Sequence, residues 1–288
     1  MSLNNAHEGY DYQDLITSYF VLKEILDGNL DIIFSVDKKN TTGNTPDRFD
    51  DLVIINGSDI QRKQIKYSNE ATSKVLIKDY LSSDSHYSIA LHKLFETWKE
   101  LKTPTTEFRL CLAWEEPTND DITGVLELQT KKSSFNDFPT KVFKINLDRL
   151  WEESPENFNR WDSLSRYVRN NNTDRNEFNE FCNSLLIEVG LPKASLKFNT
   201  PSELEVILIE QAQRLGIGKY PNDDVYISDF LVRLAKLTGA YRTGSIQVSA
   251  KDILSELRVR TDFGSIKQKF EIDQNKNIIS DEKNNSFL

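Results

Sequence analysis

Apolar side chains recur at Tyr12, Leu15, Ile16, Tyr19, Leu22 and Leu26 with the spacing of one helical face, and Gly28 follows where a C-cap is expected. Gln13, Thr17, Phe20 and Glu24 share a neighbouring face. The period then changes. Runs with strand character cover 31–36, 52–55 and 60–67. The last two are separated by Asn56-Gly57-Ser58-Asp59, whose Asn-Gly step predicts a hairpin. The polar stretch 37–47, with Gly43 and Pro46, is expected to be a loop. A helix over 89–101 leads to a strand at 108–114, and two more strands are expected near 124–128 and 141–145.

Helices and strands in that order predict a mixed α/β core, a mixed sheet flanked by helices, up to residue 147. From there helical patterning dominates. Thr200-Pro201-Ser202-Glu203 has capping-box spacing with proline at the first helical position, and the helix it opens ends at Gly216. Further helices are expected from Ser228 and from Ser249 to Asp252. The expected organisation is a core over 1–147, a smaller helical domain over 148–270 serving assembly or linkage, and a polar tail over 271–288.

Composition narrows the classes. There is no run of about 18 apolar residues, so no membrane span is expected, and the polar N-terminus predicts no secretory leader. Cys111 and Cys182 are too few for a disulfide framework or zinc site, and suit buried thiols in a reducing cytoplasm. His7, His86 and His92 form no ligand cluster. A net charge of −9 opposes a simple phosphate-backbone binder, although Arg62, Lys63, Lys66, Lys74 and Lys78 make one short basic region.

Candidate chemistry lies on the hairpin. Phosphodiester cleavage needs a nucleophilic water and a sink for charge on the phosphoryl oxygens, and divalent cations on oxygen ligands supply both. A carboxylate at the start of one strand, with an acid or amide two residues before a lysine on the next, sets three groups toward one point. Asp51, preceding Leu52-Val53-Ile54-Ile55, and Gln64-Ile65-Lys66 have this pattern. Strand alternation turns Asp50 away from Asp51 and puts Ile65 in the core. Of four Gln-x-Lys triplets, only this one has an apolar middle residue and a preceding strand that starts on a carboxylate. On this pattern alone, a solvated hairpin with ordinary surface charges is the simpler reading.

Gly9-Tyr10-Asp11-Tyr12-Gln13, Phe49-Asp50-Asp51-Leu52-Val53-Ile54 and Gln64-Ile65-Lys66, in that order, resemble the CD-NTase-associated double-strand DNA endonucleases. These are restriction-endonuclease-like PD-(D/E)XK nucleases of bacterial antiphage defence. Three further segments, Trp98-Lys99-Glu100-Leu101, the stretch from Leu215 to Asn222, and Thr261-Asp262-Phe263-Gly264-Ser265, resemble those joining such a nuclease to a STAND-type NTPase. The resemblance implies Mg²⁺- or Mn²⁺-dependent cleavage of double-stranded DNA, in a homo-oligomer or in association with a STAND-type NTPase. With no helix-turn-helix or other base-reading module in the sequence, a low sequence preference is expected. The resemblance also implies Asp51 as metal ligand, Lys66 at the attacking water or transition state, Gln64, where many relatives carry Glu, as a neutral carbonyl ligand of the metal or a hydrogen-bond partner, and Gln13 as a polar helix residue beside the metal. Asp50 and Asp37 are the secondary candidates for the metal.

Plainer roles exist for each: a turn-side acid for Asp51, a strand-edge charge for Lys66, an exposed helix position for Gln13. Two other readings stay open, a non-catalytic adaptor that binds nucleic acid or a partner, and an RNase on the same fold. Gly216-Ile217-Gly218-Lys219 lacks the four-residue gap and following Ser/Thr of a phosphate-binding loop.

Overall fold

Gly57 takes φ 60°, which a residue without Cβ adopts at no steric cost, and this lets two strands reverse across a two-residue turn. Strand β2 (Leu52–Asn56) pairs antiparallel with β3 (Asp59–Lys66), from Asn56↔Asp59 to Leu52↔Lys63. Asn56 ends its strand and Gly57 takes the first turn position, where a type II′ turn places its glycine.

The structure is a computed structural model that describes residues 3–37, 47–67, 74–76, 81, 89–117, 124–130, 133–151, 168, 172–193, 202–216, 223–244 and 246–257. Most of the loop expected over 37–47, the chain from 217 to 222, and everything after 257, including segments 261–265 and 271–288, lie outside the described residues.

Around the hairpin stand β1 (Ile33–Val36), β4 (Thr106–Leu112), β5 (Leu126–Leu128), β6 (Lys141–Ile145), β7 (Leu185–Val189) and β8 (Gln247–Ser249). They form one mixed eight-stranded sheet in the order β5-β6-β7-β4-β3-β2-β1-β8. β3, β4 and β7 run parallel at its centre, and every other pairing is antiparallel. Among the described residues the helices are α1 (Leu3–Leu26), α2 (Leu91–Leu101), α3 (Leu147–Leu150), α4 (Arg175–Ser184), α5 (Glu203–Arg214), α6 (Asp223–Gly244) and α7 (Ala250–Glu256). None of the described helices is long and apolar enough to cross a membrane.

The expected mixed α/β sheet flanked by helices is thus what the chain forms. The division at 147 is not a division of that sheet. β7 sits beside β4 at its centre and β8 closes one edge, and both come from the stretch where helical patterning dominates. The capping box at the start of α5 uses Ser202 as N-cap with Glu205 reaching back, two residues later than Thr200 would place it. The box at Ser249 and Asp252 opens α7 as expected.

Each face of the sheet has its own core. On one, Tyr12, Ile16, Tyr19 and Leu22 of α1 pack with Ile54, Ile65 and Cys111 of the strands and with Leu204, Leu208, Leu234 and Ile253 of the later helices. On the other, Leu94, Phe95 and Trp98 of α2 and Phe178 and Phe181 of α4 cover Phe108, Leu110 and Leu112 of β4. α1 is therefore enclosed rather than one-sided. Even Thr17 and Ser18 are buried, and each hydroxyl donates to the carbonyl four residues back.

Candidate metal centre

The hairpin register decides which side chains meet. Leu52↔Lys63 is the last pair of the β2–β3 ladder, so the next step brings Asp51 opposite Gln64. Gln64 Nε2 donates to Asp51 Oδ2, and the Ile65 backbone N–H donates to the same oxygen at 2.6 Å. Both bonds fall on Oδ2, and Oδ1 accepts none among the described residues. Asp51 thereby ties the start of one strand to the next.

Lys66 follows two residues on, half-buried on the same face as Gln64. Burial pushes the Asp51 carboxyl above its ordinary value; the Lys66 charge is the largest influence pulling it back down, followed by the Ile65 N–H. The structure thus brings Asp51, Gln64 and Lys66 together. In this placement Gln64 is a hydrogen-bond donor to Asp51, and its oxygen would reach a cation only with the amide turned over.

Two carboxylates join them. Asp37, Asp50 and Asp51 each offer one oxygen, and the three lie within 4.8 Å of one another. Asp50 was expected to face away, on the assumption that strand alternation extends to it. β2 begins only at Leu52, and the chain bends through residues 48–51, so the alternation does not reach Asp50. Asp37 follows β1 directly at φ 49°, a left-handed conformation that Asp tolerates better than most residues, and its N–H donates to the Asp51 carbonyl at 3.4 Å. Burial first, then the charges of Asp51, Asp47 and Asp37, pushes Asp50 up to about 7.

Gln13 lies half-buried in α1, and no hydrogen bond among the described residues joins its side chain to Asp51, Gln64 or Lys66. Its neighbour Tyr12 meets Tyr67 with ring centroids 4.8 Å apart, which puts this part of α1 beside the end of β3.

Sequence reasoning missed Asp47 and the true place of Arg62. Arg62 shares the face of Gln64 and Lys66, and its guanidinium lies 3.6 Å from Asp47, with the Asp50 charge close by. No spacing in the sequence pairs residues 47 and 62, because a bend and a hairpin separate them. Asp37, Asp47, Asp50 and Asp51 are set against Arg62 and Lys66, so fully ionised acids leave an excess of two negative charges. An oxygen-only donor set with that excess, two of its three carboxylates buried and Asp37 half-buried, suits a hard divalent cation such as Mg²⁺ or Mn²⁺.

Part of the short basic region expected around residue 62 lies inside the fold rather than on its surface. Arg62 is 8% exposed and Lys63 is fully buried, because β3 is central and covered on both faces. Lys63 Nζ lies 4.6 Å from the centre of the Phe20 ring and within the field of Glu188. Glu188, itself fully buried, accepts from Arg109 Nη1, from the Ser134 N–H at 2.7 Å and from Ser134 Oγ at 2.6 Å. Lys74 is half-buried with its ammonium 5.6 Å from the Trp114 ring, and Lys78 lies outside the described residues.

Comparison of the chain with protein-family models and with curated proteins finds no match.

Proposed function

We propose that the chain is a metal-dependent DNA endonuclease of the restriction-endonuclease-like class, with Asp51, Gln64 and Lys66 at its centre. The single observation that supports this reading is the meeting of Asp51, Gln64 and Lys66 on the hairpin, with Asp37 and Asp50 within reach of the same point. The eight-stranded mixed sheet flanked by helices is compatible with it.

In this mechanism Asp51, Asp50 and Asp37 would hold the cation through carboxylate oxygens. Gln64 and the Ile65 N–H fix the Asp51 carboxylate, so its second oxygen keeps one direction. A divalent cation bound there supplies an activated water and stabilises charge on the phosphoryl oxygens. Lys66 orients the attacking water, or meets the negative charge that develops in the transition state. The Arg62–Asp47 pair balances charge behind the acids and is too deeply buried to contact a duplex.

The substrate we assign is double-stranded DNA, cut with little sequence preference, in the cytoplasm and in the setting of antiphage defence that the sequence resemblance suggests. A net charge of −9, and the burial of the basic residues of β3, both weigh against strong binding of DNA by one copy. We therefore propose that several copies act together, as a homo-oligomer or on a STAND-type NTPase partner. The same charge favours the second reading, an adaptor with no catalysis.

Plasmid DNA and tRNA incubated together with purified protein and Mg²⁺ or Mn²⁺ test these readings. Cleavage of the plasmid is expected, rising steeply with protein concentration. Asp51→Ala and Lys66→Ala should each lose at least about a hundredfold in rate, the scale of a single electrostatic or acid–base contribution. Cleavage unchanged in both folded variants would overturn the site, and no cleavage under any condition would favour the adaptor. Preferential loss of tRNA would make the enzyme an RNase.

A further inference from the structure

On the α1 side of the sheet, away from the acidic cluster, a pocket of about 160 Å³ opens between the C-terminal ends of α1 and α5 and the loop that precedes β6. Apart from Leu26 its lining is polar: Lys23 from α1, Asp27 from the turn that follows it, Asn136 and Asp137 from the loop, Gln211 and Arg214 from α5. The loop is pinned to α1. Tyr19 Oη donates to Asp137 Oδ2 at 2.8 Å, Lys23 Nζ donates to the Ser134 carbonyl at 3.0 Å, and Phe135 stacks on Tyr19.

Three groups in this pocket are uncommitted. Gln211 is 3% exposed, yet its Oε1 is buried without any hydrogen-bond partner, which is costly unless something brings a donor to it. Asp27 and Arg214, both exposed, have no side-chain hydrogen bond or ion pair among the described residues. An anion and a cation thus stand free on this pocket, and an acceptor without a partner lies buried in its lining. Both helices also end here, and the partial negative charge of their last carbonyls favours a cationic group.

We infer that this pocket binds a small free α-amino acid as its zwitterion, the carboxylate on Arg214 and the ammonium between Asp27 and the Gln211 carbonyl. The lining carries two cations and two anions, which suits a ligand of zero net charge better than a phosphate or a simple amine. The volume is that of a cavity which admits benzene, about 150 Å³, so the side chain of the amino acid is short. The inference is independent of the metal centre.

Ligand-observed NMR with the full chain tests it, using L-alanine and its two halves, methylammonium and acetate, as probes. L-Alanine is expected to saturate the site and to bind at least about tenfold more tightly than either half, because two charge-assisted contacts act together. Arg214→Gln should weaken L-alanine about tenfold while melting at the wild-type temperature, since Arg214 lies on the surface. Gln211→Leu should weaken it similarly, and Gln211→Glu, which keeps an acceptor, should bind. Absence of saturable binding, acetate binding as tightly as L-alanine, or an Arg214→Gln variant that binds like the wild type would each overturn the inference.

Discussion

Asp50 carries a consequence at the residue scale that falls within an accessible pH range. A carboxyl held at about 7 keeps its proton in the folded protein where the unfolded chain, near 3.8, has lost it. Folding then takes up a proton between those values, so this group's contribution falls as pH rises through the window and levels off above it. Metal-free protein should melt at a lower temperature at about pH 8 than at about pH 5.5, and Asp50→Asn should flatten that slope. Superimposable melting profiles for the two proteins would contradict the assignment. Lys63 makes the opposite kind of case. Its ammonium is fully buried with no hydrogen bond, while Glu188 has Arg109 and Ser134 to hold it. Desolvation should therefore outweigh attraction, and Lys63→Met should stabilise the fold by about 1–2 kcal/mol in urea denaturation. A loss of similar size would show that Lys63 supports Glu188 after all. Asp51 and Gln64 were legible in the sequence because strand period and hairpin register place them. Asp50 and Asp37 could be named only as secondary candidates and Asp47 not at all, because they sit on bends and strand ends where no period holds.

At the scale of elements, the hairpin is where local sequence decides most. Gly57 has open space around a would-be Cβ, so replacing it tests conformation alone. Gly57→Ala should cost about 1 kcal/mol from its positive φ, measured by chemical denaturation. No loss would mean that the turn adopts another conformation. β7 shows the limit of pattern reading. Phe178, Phe181, Cys182 and Leu185 are spaced as on one helical face, so the apolar run Leu185-Leu186-Ile187 reads as a continuation of α4. The chain instead becomes extended at Leu185, where a central parallel strand buried on both faces needs a continuous apolar run. β8 has three residues, too few for any period to appear.

For the whole molecule, the late return of β7 and β8 to the sheet has a mechanical meaning. β3, which carries Gln64 and Lys66, is bordered on one side by the hairpin and on the other by the parallel pair β4–β7. The helices after residue 202 cover α1, and α1 covers the strands. The described residues after 147 thus take part in the fold that holds the candidate site, and truncation at 147 would remove a central strand. Sequence patterning could not show this, since strand order across a sheet is set by long-range pairing. The account rests on Asp51 and its neighbours gripping one cation, and calorimetric titration of Mn²⁺ into the metal-free full chain tests that most directly. A single saturable site is expected, with Asp51→Asn weakening it at least about tenfold, consistent with loss of one charged ligand. No binding by the wild type, or equal affinity in a folded Asp51→Asn variant, would contradict it.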